Sequence, residues 1–207
     1  MSTRQYHPIS GSSCIAPTYA ADLDVLPPLI AAVRADVKSL TTGLSDVQFN
    51  WKPTPARWSI AQCIKHLMLT GTGGANGQQT AIARLRERGQ LSDGPYAYRG
   101  IPAMMGNMLM GSIEPPVQRK FKTAKRVIPA DHHDLGALVP EFLALQDRFE
   151  RLIKDAKGVD LGRASVPLGV PLFSMRLGQN LAFEIAHERR HLWQARQVRL
   201  EPGFPAA

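Results

Sequence analysis

Residues 177–200, LGQNLAFEIAHERRHLWQARQVRL, decide how the rest of the chain is read. No proline interrupts them, Gly178 is their only glycine, and Leu177, Leu181, Ile185 and Leu192 recur with helical spacing. The stretch predicts one long helix, stopped by Pro202 and Gly203. Within it, His187 to His191 spell HExxH, which places two imidazoles on one helical face, about one turn apart, where they can grip a single metal ion.

HExxH is also the mark of zinc peptidases, which take a third ligand downstream: a glutamate on a later helix, or a histidine six residues past the second one. Gln197 stands at that last position, and Glu201 is the sole acid among residues 192–207. Too little chain follows to complete a peptidase site. A metal held here draws its third ligand from upstream.

Working outward, the other helices announce themselves by stripes. From Asp24, Pro27 and Pro28 onward, Leu26, Ile30, Val33, Val37, Leu40 and Leu44 alternate spacings of four and three, the pattern of a helix with one apolar face. A Pro-punctuated connection, FNWKPTPARW, leads to SIAQCIKHLMLT, where Ser59 and Gln62 form a capping box and Ile60, Ile64 and Leu67 line one side. The run GTGGANG at 71–77 loosens this second helix before QQTAIARLRERG resumes it. No strand precedes the run and no Gly-Lys-Ser/Thr follows it, so it is no phosphate loop. Residues 90–130, rich in Gly, Pro and Met, read as a long irregular insertion with a short helix around Met104 to Met110. A third helix, with Asp131 or a neighbour as its cap, carries Leu135, Leu138, Phe142, Leu145, Phe149, Leu152 and Ile153 on its core face, with a bend expected at Pro140. Apart from an ASVPL fragment, strand alternation is absent. The fold expected is all-α, an up-and-down four-helix bundle with its insertion between helices two and three. Residues 1–20 are expected as an irregular arm and 21–207 as the bundle domain.

Composition narrows the function. The 207 residues are 44% hydrophobic and 20% charged, an ordinary globular balance. No apolar run approaches the ~20 residues of a membrane span, and the N-terminal segment lacks a secretory hydrophobic core, so a cytoplasmic protein without membrane partners is expected. Two cysteines, Cys14 and Cys63, are expected as free thiols. The net charge of +8 invites nucleic acid as a partner, but the cations are spread along the chain. The densest group, RKFKTAKR at 119–126, reads as a solvated loop. An anionic small substrate is an equally good use of the positive field.

Four histidines lie upstream of the HExxH pair. His7 sits in the arm, and His132 and His133 are adjacent at a helix start, where their directions diverge. His66 alone lies in mid-helix on an apolar segment. Joined to His187 and His191, it completes three imidazoles projecting from two helices, a three-coordinate site with an open position.

WSIAQCIKHL on helix two and AHERRHLWQ on helix four, preceded by LSDVQFNWKPTPARWS, resemble in order and spacing the DinB-like superfamily of metalloenzymes, which includes the YfiT-like proteins. The resemblance runs from about residue 25 to 200. It implies a four-helix bundle holding one divalent metal ion, nickel, zinc or iron, with His66, His187 and His191 as the ligands. It also implies a homodimer. Members of the superfamily include S-transferases and isomerases that use low-molecular-weight thiols, beside proteins with no assigned activity. The expected function is therefore that of a metal-dependent enzyme acting on a small molecule, a thiol-dependent transferase or a hydrolase. The alternative is a non-catalytic metal-binding bundle that serves as a binding module. The long stretch 90–130 and the arm depart from the compact family pattern, and both bear on the substrate.

The neighbours of the histidines carry expectations of their own. Glu188 points about 100 degrees away from His187 on a helix and is expected to be exposed or salt-bridged. Glu184, three residues before His187, is the better candidate to orient a ligating imidazole. Cys63, at i+3 from His66, reads as a small buried residue. Trp51 and Trp58 are expected to close the bundle end, and Trp193 to pack near the site.

Overall fold

The computed structural model describes residues 23–113, 115, 122–169 and 172–206. The arm expected at 1–20, with His7 and Cys14, lies outside the described residues, as do positions 119–121 of the basic loop.

Four long helices make the frame: α1 (Leu26–Thr41), α3 (Ile60–Glu87), α5 (Leu135–Asp155) and α6 (Leu177–Arg199). Helix α3 packs on α5 and α6, and α1 packs on the same two, so the helices form a closed ring around one core. Each stripe read from the sequence faces inward. Leu26, Ile30, Val33, Val37, Leu40 and Leu44 are buried, as are Leu138, Phe142, Leu145, Phe149, Leu152 and Ile153 of α5. The chain is an all-α bundle, to which a small antiparallel hairpin is attached, β1 (Ser165–Pro167) with β2 (Ser174–Arg176). Among the described residues no helix is long and apolar enough to cross a membrane.

Two capping boxes set the helix starts. Ser59 accepts from the Gln62 amide while the Gln62 side chain accepts from the Ser59 amide, which fixes where α3 begins and hence the angular position of His66 seven residues on. The same arrangement, Ser45 with Gln48, opens the short helix α2 (Asp46–Asn50). Asp134, the neighbour of Asp131, caps α5. Asp131 itself binds Lys52 and Gln62.

The loosened middle expected for α3 is absent: the helix runs unbroken through GTGGANG. Its glycines mark close approaches. A Cβ on Gly71 would stand 2.9 Å from Leu145 Cδ2, one on Gly74 would collide with Glu184 Oε1, and one on Gly77 would stand 2.7 Å from Val166. The glycines let α5, α6 and β1 come within a side chain's depth of the α3 backbone. Pro140 lies inside a continuous α5.

The insertion holds a helix longer than expected, α4 (Gly100–Ile113), laid against α6 and β2. At the opposite end of the chain, residues 201–206 fold back on the α2 region. Gln48 Nε2 donates to the Pro205 carbonyl at 2.9 Å, and the rings of Trp51 and Phe204 meet edge to face at 5.6 Å.

Candidate metal centre

His66 comes from the second turn of α3, and His187 and His191 come from successive turns of α6. The bundle brings them together: one ring nitrogen from each lies within 4.8 Å of the others. The ring centroids are 5.3 Å apart for His66 and His187, 4.6 Å for His66 and His191, and 4.7 Å for His187 and His191. No cysteine, aspartate or glutamate joins the group among the described residues.

Two of the rings are held by partners outside the cluster. His66 Nδ1 lies 2.8 Å from the Val127 carbonyl oxygen, which only accepts, so Nδ1 carries the proton and Nε2 the free lone pair. His191 Nδ1 lies 3.1 Å from Gln194 Oε1, which fixes the same tautomer there. Such partners orient a ligating imidazole and raise its basicity toward a metal. Val127 closes the 3-10 turn Lys125–Val127, so the basic loop, whose Lys122, Lys125 and Arg126 are exposed, ends at the site.

The electrostatics keep the imidazoles neutral. Burial, with the His66 ring and the Arg190 guanidinium nearby, pushes His187 down to about 3. Burial lowers His66 as well, against the Val127 hydrogen bond, and holds His191 well below the usual imidazole range. Three neutral nitrogen donors with no proton to displace are the state in which histidine ligates. Nitrogen donors in this number suit nickel, zinc and iron alike.

Aromatic rings wall the cluster. Trp58 lies 5.0 Å from the His66 ring and 5.9 Å from that of His191, and Phe183 stacks on His187 at 5.7 Å. Trp58 thus stands against the site, whereas Trp51 is engaged with the C-terminal segment.

Glu188 departs from expectation. It is 2% exposed, makes no salt bridge among the described residues, and its Oε1 accepts from Gln146 Nε2 of α5 at 2.6 Å. Helix α6 is covered by α1, α3 and α4 as well as by the hairpin, so the direction away from His187 is still interior. Glu184 is buried against Gly74, and among the described residues its carboxylate bonds no histidine ring. The orienting role expected of it is taken by Val127 and Gln194. Cys63 is fully buried, outside the cluster, and burial pushes its thiol far up. His133 is tied to Asn50 and to the Ala130 carbonyl, and neither it nor His132 belongs to the cluster.

Sequence reasoning missed Val127, Gln194, Phe183 and Gln146. Gln194, three residues past His191 on one helical face, was legible in principle. Val127 was not, since nothing local ties it to a residue sixty-one positions away.

Residues 29–195 match the family model described as the DinB superfamily. No curated protein and no solved structure gives a match.

Proposed function

The chain belongs to the DinB superfamily, and on that premise we propose that it is a metal-dependent enzyme in which His66, His187 and His191 hold one divalent ion, nickel, zinc or iron. The observation that carries the reading is the three-nitrogen cluster itself, with ring nitrogens within 4.8 Å of one another and no fourth protein ligand among the described residues. A structural site closes its coordination sphere with a fourth side chain, whereas a catalytic one leaves a position open.

A divalent ion supplies Lewis acidity, which lowers the pKa of water or of a thiol and so gives a nucleophile at neutral pH. The protein's own part is positional. Val127 and Gln194 aim two lone pairs inward, while Trp58 and Phe183 shed water from the flanks of the rings. Arg190 adds positive charge beside His187 and His191, a field that favours a thiolate or an anionic substrate. The reaction we favour is thiol-dependent transfer to, or hydrolysis of, an electrophilic small molecule, in a cytoplasmic homodimer built from one domain over residues 21–207. Nucleic acid is not among the partners proposed.

Elemental analysis of protein purified without a histidine tag or chelator tests this. About one equivalent of nickel, zinc or iron in the wild type, absent from His66→Ala and from His187→Ala, is the expected result. A wild type that stays empty after soaking in each ion would overturn the ligand assignment. Bound metal with no turnover of thiol or ester substrates would leave a binding module.

A further inference from the structure

Beside the histidines the bundle interior is polar where such cores are ordinarily apolar. On α6, Asn180, Glu184 and Glu188 recur every fourth residue and so stand in one line along the helix. All three are buried, at 1%, 6% and 2% exposure. Gln78 of α3 donates through Nε2 to Asn180 Oδ1 at 2.9 Å, and Gln146 of α5 donates through Nε2 to Glu188 Oε1 at 2.6 Å. Gly74 leaves the space that the Glu184 carboxylate fills.

What these bonds leave over is mostly acceptors. Glu188 Oε2, Gln146 Oε1 and Gln78 Oε1 are buried oxygens with no donor, against two orphaned donor nitrogens, Asn180 Nδ2 and Arg34 Nε. Buried polar groups in native proteins are satisfied, so oxygens left over in this way call for something positive or donating beside them. Arg34, the cation that faces Glu188 from α1, is engaged through its terminal nitrogens by Asp147, Glu150 and the Leu143 carbonyl, while its Nε bonds to neither interior glutamate. Among the described residues neither interior carboxylate makes an ion pair.

We propose that Glu184, Glu188 and Gln146 form a second cation site, lined by oxygen and distinct from the histidine cluster, that takes a hard divalent cation of the calcium or manganese type. Carboxylate and amide oxygens are the donors such ions prefer, as imidazoles are for nickel and zinc, so the two centres sort their ions by chemistry. The Gln78–Asn180 pair stands one turn further along, placed to hold the waters that complete the coordination shell. This site requires nothing of the histidines.

Isothermal titration with calcium chloride, and separately manganese chloride, of the full chain stripped by chelator tests the proposal. It is run on the wild type and on His66→Ala, which disables the histidine cluster and leaves the carboxylates. One equivalent of calcium or manganese bound by both proteins, and lost in Glu184→Gln and Glu188→Gln, is expected. Far-UV circular dichroism establishes that each variant is folded, and Gln146→Leu replaces any glutamine variant that is not. No binding of either ion to folded protein, or binding undiminished in the carboxylate variants, overturns the site. Its fate is separable from that of the metal-enzyme reading: nickel, zinc or iron lost in His66→Ala reports on the histidines, and calcium retained there reports on the carboxylates.

Discussion

His66 Nδ1 and the Val127 carbonyl oxygen are 2.8 Å apart, joining the second turn of α3 to the far end of the irregular insertion. The same geometry recurs with a side-chain acceptor at His191 and Gln194, and there it can be cut by mutation. Gln194→Leu keeps the volume and removes the acceptor. Metal affinity is expected to fall about 10- to 100-fold, the usual effect of losing a partner behind a ligating imidazole. Competition against a chromophoric chelator measures it, and unchanged affinity would mean that Gln194 does not orient the ring.

Two adjacent glycines in α3 are expected to respond in opposite senses. A Cβ on Gly73 meets nothing within 4 Å, so Gly73→Ala gains the helix propensity of alanine, about 1 kcal/mol. Gly74→Ala gains the same propensity but drives its methyl into Glu184, and overpacking of that kind costs about 1–3 kcal/mol. Urea unfolding of the two variants should give midpoints on either side of the wild type.

Ser59→Ala removes the side-chain half of the capping box at the start of α3, a loss of about 1 kcal/mol. The Gln62 side chain keeps its bonds to the Ser59 amide and to Asp131, but its own backbone amide loses its acceptor and the first turn is held less firmly. Metal occupancy should fall together with the urea midpoint, because the first turn sets the phase at which His66 enters the cluster.

Stability should also depend on pH through the buried groups. Glu184 rises from 4.5 to about 8, so the folded state holds its proton more tightly than the unfolded chain. Its contribution is fully present below pH 4.5 and is lost as pH rises toward 8. In metal-free protein, the thermal midpoint of Glu184→Gln should therefore gain on the wild type across that interval. A constant difference would place the carboxylate in water.

His187 works in the other direction. Its pKa falls from 6.5 to about 3 on folding, so the neutral ring stabilises the fold above pH 6.5, and that stability is lost as pH falls toward 3. Thermal midpoints of metal-free His187→Gln should decline less over this range than those of the wild type.

The parts legible in the sequence were those written in local spacing. The stripe from Leu26 to Leu44, the Ser59–Gln62 box and the HxxxH pair each depend on neighbours within a few positions. Glu188 was misjudged because one turn of α6 cannot say how many helices surround it, and α1, α3, α4 and the hairpin leave it no outer face. The glycines of α3 read locally as weakness for a similar reason. Their purpose is to admit Leu145, Glu184 and Val166, which come from three other elements. Trp58 and Val127 reach the histidines from connections whose path no periodicity describes.

The segment 201–206 bears on how any of these measurements is set up. Arg57 Nη1 grips Glu201 at 2.7 Å, Phe204 meets Trp51, and Gln48 holds the Pro205 carbonyl. These contacts brace the stretch from Trp51 to Trp58, and Trp58 is the ring against two of the histidines. A purification handle fused after Pro205 would pull on that brace. Metal content measured on such a fusion would then report the anchoring of the tail as much as the strength of the ligands, and a low value would be blamed on the wrong residues.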